Sequence, residues 1–158
     1  MAKHQGGVVS TSQAVATTAA STDYIDLKQR RDLGYGNVVL NAAQVVSAAT
    51  AGNATVIVEI IASNTAGDLS GTASSAIVLG RSRSYTYAEL AVATGTGKAG
   101  ALPIAVKINP DMASTGYRYI AARYTVTVGT GTIAPSAWSA FFSDSVVGDA
   151  RKIYPAGW

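Results

Sequence analysis

What the sequence lacks narrows the possible functions first. The 158 residues contain no cysteine, which excludes disulfides and thiolate metal ligands. They contain a single histidine, His4, in a polar N-terminal segment where a general base would lack the fixed geometry that it needs. A zinc site is therefore not expected, and no apolar run reaches the roughly 18 residues of a membrane helix. We expect no metal, no cofactor and no membrane.

Charged residues are also scarce, at 13% of the chain, which is about half of the usual share. Hydrophobic residues make up 48%, so the chain as a whole is not expected to be disordered. The surface must therefore consist largely of alanine, serine, threonine and glycine. Two interpretations remain open: partner proteins cover much of this surface, or the protein is simply a small and rigid β domain.

The positive charge is small and scattered. The net charge is +3, and Lys28, Arg30 and Arg31 form the only marked basic cluster. Nucleic-acid binding requires a concentrated basic face with interleaved aromatic residues, so no nucleic-acid partner is expected. Either Asp26 and Asp32 neutralise Arg30 and Arg31 locally, or the two arginines contact an acidic surface of a neighbouring protein.

The longest alternating run, at 116–128 (GYRYIAARYTVTV), predicts a central β-strand. One face carries Ile120, Ala122, Tyr124 and Val126, and the other face is aromatic at one end and polar along the rest. β-branched and aromatic residues dominate the run, as a half-buried pleated surface prefers. A long unpaired edge of this composition would invite aggregation, so the strand is expected inside a sheet.

Other segments complete an all-β pattern. Residues 37–49 could form a helix, but the β-branched valines in them favour a strand. Both faces of 54–63 are apolar apart from Glu59, which predicts a strand covered on both sides. Residues 81–93 fit either a strand or a short helix. A glycine-rich hairpin after residue 128 is expected to return the chain into a strand at 133–143.

These strands, about eight in number, predict a single-domain β-sandwich that resembles a jelly roll. The domain is expected to span residues 14–143, between an N-terminal arm of residues 1–13 and a C-terminal tail of residues 144–158. Residues 14–20 could form an extended edge strand. The polar N-terminus lacks the apolar region of a secretory signal, so synthesis in a cytoplasm is expected.

Four tyrosines supply a candidate contact surface. Tyr85, Tyr87, Tyr117 and Tyr119 would suit a carbohydrate-binding face if they are exposed. Packing at a sheet or subunit interface is the more common role of such residues.

The end of the chain supplies a second candidate surface. Ile153, Tyr154 and Trp158 lie close together there, and tyrosine and tryptophan often act as anchors in interfaces. Either the tail folds back on its own sandwich and covers an open edge, or it reaches a neighbouring protein.

No catalytic constellation is visible in the sequence. Residues 95–98 (GTGK) are similar to a phosphate-binding loop, but Ala99 stands where serine or threonine is needed and Val92 where the first glycine is needed. The carboxylates are dispersed, and the closely spaced Asp23 and Asp26 are expected on opposite faces of a short strand. We therefore expect that the protein is not an enzyme.

The order of several short motifs resembles one known family. Residues 18–22 (TAAST), 25–27 (IDL) and 31–36 (RDLGYG) are similar to the opening of the capsid cement, or decoration, proteins of tailed phages, of the kind found on a Bordetella phage. Residues 116–126 resemble the penultimate strand of that family. The strand at 56–61, with the polar loop after it, is similar to the middle of the family.

The resemblance covers roughly residues 14–142 and implies a function. It implies a jelly-roll fold, homotrimers on the outer capsid surface of the virion, and no enzymatic activity. The expected role is to decorate and stabilise a phage capsid by bridging neighbouring major capsid proteins, with about 800 Å² buried per partner in a standard interface. The alternative is a carbohydrate- or receptor-binding β-sandwich on a virion surface.

Overall fold

Within the described residues the chain is almost entirely β-structure. The computed structural model describes residues 8–27, 39–45, 54–70, 75–87, 89–90, 104–108, 116–129 and 136–143. The strands in these ranges are β1 (Val8–Val15), β2 (Ala19–Ala20), β3 (Ile25–Asp26), β4 (Val39–Val45), β5 (Thr55–Ser63), β6 (Ile77–Arg81), β7 (Tyr85–Thr86), β8 (Ile104–Lys107), β9 (Tyr119–Thr127) and β10 (Ser136–Ser143). The predicted all-β class is confirmed. No helix in the described part of the chain is long or apolar enough to span a membrane.

The strands form two antiparallel sheets. Sheet I has the order β1-β10-β4-β8, and sheet II has the order β2-β9-β5-β6, with β3 also paired to β9 and β7 also paired to β5. Because β2 and β3 follow each other along β9, and β6 and β7 along β5, each pair acts as one interrupted strand. If each pair is counted as one strand and the resulting eight strands are renumbered along the chain, sheet I has the order 1-8-3-6 and sheet II has the order 2-7-4-5. This is the arrangement of a jelly roll, so the predicted sandwich is confirmed.

Strands β5 and β9 form the centre of sheet II. They pair in register from Thr55 opposite Thr127 to Ser63 opposite Tyr119. The other edge of β9 pairs with β2 and β3, so β9 lies inside the sheet as predicted. The alternation along 116–128 is also confirmed, because every second residue of β9 is buried in the main core.

The main hydrophobic core lies between the two sheets. Trp138 of sheet I and Tyr124 of sheet II are among its largest side chains, and their ring centroids are 4.9 Å apart. The Tyr124 hydroxyl donates a buried hydrogen bond to Ser10 Oγ at 2.9 Å, which satisfies the polar atom of this ring. Aliphatic residues from both sheets fill the rest of the core: Val9, Val15, Leu40, Val56, Val58, Ile60, Leu79, Ile104, Val106 and Ile120. Their burial drives the association of the sheets.

Strands β4 and β8 of sheet I place apolar residues in the core. Strand β4 occupies part of the segment 37–49 that could also have formed a helix, and its Leu40 points into the core. Strand β8 buries Ile104 and Val106, while Lys107 is exposed on the outer side. The prediction of a strand from the β-branched residues is therefore confirmed for Val39–Val45.

The predicted hairpin after β9 is wrong. Strand β9 lies in sheet II, whereas β10 lies in sheet I and pairs with β1 and β4. Both hydrogen-bonding edges of β9 are already occupied by β5 and by β2 and β3. Strand β10 buries Trp138, Ala140 and Phe142 in the core. To place these residues there, the chain crosses to the opposite sheet instead of turning back.

The start of the sandwich also needs correction. Strand β1 begins at Val8, and Val9 is fully buried, so residues 8–13 belong to the sheet and not to an arm. The pairing of β1 with β10 shifts between Ser10 and Gln13, where Ser12 has a φ of 46°. This irregularity breaks the alternation on which the sequence prediction depended.

Side-chain hydroxyls fill the gaps in the two interrupted strands of sheet II. Between β2 and β3, Ser21 donates its N–H to the Ala122 carbonyl at 2.8 Å, and its Oγ accepts from the Ala122 N–H at 3.1 Å. Between β6 and β7, Ser82 makes the same two bonds to Val58, at 2.8 and 3.0 Å. The hydroxyl oxygen replaces a backbone carbonyl, so these two buried backbone N–H groups keep their partners.

The edges of the two sheets approach each other at Gly80. Gly80 of β6 lies so close to β8 that a Cβ atom at this position would collide with the Lys107 carbonyl oxygen. Glycine permits such a close backbone approach because it has no side chain. The two edge strands therefore cover each other.

We expect Gly80→Ala to lower the free energy of unfolding by about 1–3 kcal/mol, because the added methyl group must displace backbone. Thermal or urea unfolding of the purified protein measures this change. Gly67→Ala is the matched control, since no atom lies within 4 Å of a Cβ atom there. Equal stability of the two variants would contradict the proposed contact between the edges.

Candidate interface on the outer face of sheet II

The outer face of sheet II consists of the residues that point away from the main core. Its central row is formed by Arg123 of β9, Glu59 of β5 and Arg81 of β6, which lie opposite one another in the sheet. Three charged residues in one row are notable in a chain with so few charges. The row is therefore the first place to look for a function of this face.

Glu59 is the buried hydrogen-bond acceptor of the central row. Its Oε2 accepts from Arg123 Nε at 2.8 Å and from the Thr125 hydroxyl at 2.7 Å, and its Oε1 accepts from Arg81 Nη2 at 3.2 Å. The Glu59 side chain is 5% exposed, against 15% for Arg123 and 63% for Arg81. A buried carboxylate is tolerated only when it is paired and hydrogen-bonded. These three donors meet that requirement.

A second apolar cluster adjoins the central row on the same face. Its buried members are Ile61, Leu69, Ala76 and Ala121. Leu69 belongs to a 3₁₀ helix, Ala66–Leu69, in the polar segment that follows β5. Ser63 Oγ donates a hydrogen bond of 2.8 Å to Asp68 Oδ2 and so holds this helix against the sheet. The predicted covering of β5 on both sides is confirmed from Val58 to Ser63, whereas Thr55 and Ile57 are only half-buried.

The β6–β7 edge carries a second ion pair. Arg83 Nη1 lies 3.3 Å from Glu89 Oε1, and the guanidinium stacks 3.9 Å from the ring centroid of Tyr85. Glu89 Oε2 accepts from the Thr86 N–H at 2.9 Å, and the Glu89 N–H donates to Thr86 Oγ1 at 3.1 Å. This reciprocal pair is a capping box. It resolves the ambiguity of 81–93, because the strand ends at Thr86 and a helical turn begins there.

A third ion pair joins β3 to the start of β9. Arg118 Nε and Nη2 donate to the two oxygens of Asp26, each at 3.0 Å. The same guanidinium lies 4.8 Å from the ring centroid of Tyr119, which meets Tyr24 edge to face at 5.3 Å. The hydrogen bonds to Asp26 raise the pKa of Arg118 above its ordinary value. The two groups therefore stabilise each other's charge where β3 meets the start of β9.

The carboxylates of the described residues have structural partners. Asp26, Glu59, Asp68 and Glu89 accept hydrogen bonds from protein donors, and Asp23 also has a partner. Within the same ranges no group of three or more histidine, aspartate or glutamate residues could hold a metal ion. These carboxylates take part in contacts within the protein.

Comparison with known proteins gives the chain a family. Residues 9–142 match Bbp16, a family of Bordetella phage proteins. The chain belongs to the Bbp16 family. The match includes strands β2 to β9 in full, and hence the whole outer face of sheet II. It confirms that the protein is phage-associated, as the resemblance implied. No curated protein matches the chain.

The Bbp16-family sandwich does not bring the four candidate tyrosines onto one face. Tyr87 is fully buried in the main core, and Tyr85 and Tyr117 pack partly against that core. Tyr119 packs against the second cluster, on the other side of sheet II. The four tyrosines therefore form no common carbohydrate-binding face.

The other predicted contact residues of this Bbp16-family protein lie outside the described residues. They are Arg30, Arg31, Ile153, Tyr154 and Trp158. Their contacts with neighbouring proteins stay predictions.

The sequence analysis did not identify the central row of the Bbp16-family sheet. Glu59 was visible as the one charged residue in an apolar strand, and that was the only available signal. Its pairing with Arg81 and Arg123 depends on the register of three strands, which periodicity within one strand does not give.

We expect Arg123→Ala to destabilise the protein by roughly 3 kcal/mol, because it leaves the buried Glu59 carboxylate with too little compensation. Arg81→Ala should cost less than about 1 kcal/mol, since Arg81 is mostly exposed. Urea unfolding of the two variants measures the difference. A similar loss in both would show that Arg123 is not the principal partner of Glu59.

We expect the stability contributed by Glu89 to disappear in acid. Its pKa is lowered from 4.5, first by the hydrogen bond from the Thr86 N–H and also by Arg83. The contribution is therefore complete above that ordinary value and is lost as the pH falls through the lower folded value. Urea unfolding of the wild type and of Glu89→Gln, at about pH 7 and about pH 3, should give a difference that shrinks in acid. A difference that is independent of pH would contradict this role.

Proposed function

We propose that this protein is a non-enzymatic structural component of the phage particle. It binds to the outer surface of the capsid and stabilises the shell by bridging neighbouring major capsid proteins, after synthesis in the host cytoplasm. The observation that carries the proposal is membership of a phage protein family over residues 9–142. The motif likeness to capsid cement proteins supplies the more specific role.

The use of the ionisable groups supports this proposal. Glu59, Asp26 and Glu89 each pair with arginines that connect separate strands or turns. A pair of catalytic carboxylates requires environments that shift their pKa values apart, so that one acts as the acid and the other as the base near the substrate. The described carboxylates instead stabilise the sandwich, which is what a protein that acts through contact requires.

The outer face of sheet II supplies a suitable contact surface. Beside the central row it presents Thr55, Ile57, Thr125 and Thr127, which are half-buried or exposed. These side chains are short and uncharged, so covering them removes few strongly hydrated groups from water. A protein interface is on average about as apolar as the rest of the surface, and this face fits that description.

The assembly state follows from the same proposal. The resemblance to cement proteins implies a homotrimer, and closed cyclic symmetry places one surface of each subunit against a different surface of the next. A trimer that contacts several shell proteins gains strength by multivalency, even where each contact is weak. Association of copies therefore precedes or accompanies binding to the shell.

The proposal is tested with purified protein and empty capsid shells that lack it. We expect the protein to sediment alone as a trimer, to cosediment with the shells to saturation, and to raise the temperature at which they dissociate. Bovine serum albumin at the same concentration is the control for trapping.

Two outcomes would count against the proposal. A stable monomer at micromolar concentration would contradict the trimer. Failure to bind shells at protein concentrations up to about 100 μM would contradict the cement role.

A further inference from the structure

The β6–β7 edge holds two exposed arginines in fixed positions. Arg81 and Arg83 flank Ser82, whose N–H and Oγ both bond to the backbone of Val58 in β5. The backbone that carries the two arginines is thereby attached to the central strand of the sheet. The edge is a rigid support for both side chains.

Each guanidinium is also held at its end. Arg81 donates to Glu59 at 3.2 Å, and Arg83 stacks over Tyr85 and donates to Glu89. The side chains nevertheless remain 63% and 58% exposed. A partner that binds them therefore loses little side-chain entropy, because the rotamers are already restricted.

In the central row, Arg81 has positive charge and N–H donors with which it can bind a partner. Arg123 already neutralises Glu59 through the shorter contact, 2.8 Å, so these three residues together carry one excess positive charge. Arg81 uses one nitrogen for Glu59 within the described part of the chain. A guanidinium has five N–H donors in a planar fork that suits a carboxylate.

We propose that the Arg81–Arg83 edge is a docking site for a carboxylate-bearing surface of a neighbouring protein in the phage particle. This inference rests on the proposed structural function and adds the surface through which contact is made. The Arg81 guanidinium receives the partner carboxylate, and the neutral Arg83–Glu89 pair holds the adjoining part of the edge in place.

The charge pattern favours an acidic protein surface over nucleic acid. The charges at the edge are mixed, since Arg81 and Arg83 lie beside Glu59 and Glu89. Glu89 lies within the edge itself and would repel a continuous row of phosphates. Nucleic acid requires an extended basic surface, whereas one or two carboxylates fit this local site.

The test compares variants that each remove or keep one exposed positive charge. Arg81→Gln removes the proposed contact, Arg81→Lys keeps its charge, and Lys107→Gln removes an exposed charge from the outer side of β8 in sheet I. Unfolding measurements first establish that all three variants are folded. Binding is then measured to empty shells, to poly-L-glutamate and to duplex DNA over a series of salt concentrations.

We expect Arg81→Gln to bind shells about three- to tenfold more weakly at low salt, with a smaller salt dependence, as for a charge at an interface rim. Arg81→Lys should retain most of the affinity, and Lys107→Gln should match the wild type. Equal binding by Arg81→Gln and Lys107→Gln would overturn the docking site while the structural function stands.

The soluble probes separate the remaining outcomes. If the wild type binds no shells, the structural function fails, and binding to poly-L-glutamate then tests the docking site by itself. Weaker binding of poly-L-glutamate by Arg81→Gln alone supports the docking site. Equally weakened binding by Arg81→Gln and Lys107→Gln overturns it. Binding of DNA, but not of poly-L-glutamate, would overturn it in favour of a nucleic-acid partner.

Discussion

The antiparallel pairing of β5 with β9 is the interaction on which the rest of the structure depends. One side of this ladder places Val58 and Tyr124 in the main core, and the other side places Glu59 opposite Arg123. Moving β5 by one residue would exchange its two faces and bring the Glu59 carboxylate into an apolar core. Burying an unpaired carboxylate is very costly. The core and the ion pair therefore enforce the same register.

The outer strands adapt to this ladder and leave a surface suited to contact. Ser21 and Ser82 complete the hydrogen bonding where the neighbouring strands are interrupted, and Gly80 lets the two sheets close at one edge. Exposed strand edges promote unwanted association, and these devices reduce them. In the pair of Arg81 with Glu59, the carboxylate is the buried partner and the guanidinium the exposed one. The proposed docking of an acidic partner uses this exposed guanidinium.

The sequence predicted the positions of the strands better than it predicted which strands and side chains lie next to one another. The strands within 37–49, 54–63 and 116–128 follow from alternation and β-branched residues. Strand β1 was partly missed because the irregularity at Ser12 interrupts its alternation. Of the candidate contact residues, Tyr87 proved to be a core residue, because exposure depends on what the rest of the chain places over a side chain.

By itself the sequence determined the all-β class, the faces of the central strand, and the absence of cysteine chemistry. These are local or compositional properties, since side-chain period and residue type act within a few neighbouring residues. Only the tertiary structure decided that β10 crosses to the opposite sheet and that Glu59 meets both Arg81 and Arg123. Those features join residues that are far apart in the chain. They depend on which strand edges remain unpaired and which apolar faces remain uncovered once the β5–β9 ladder has formed.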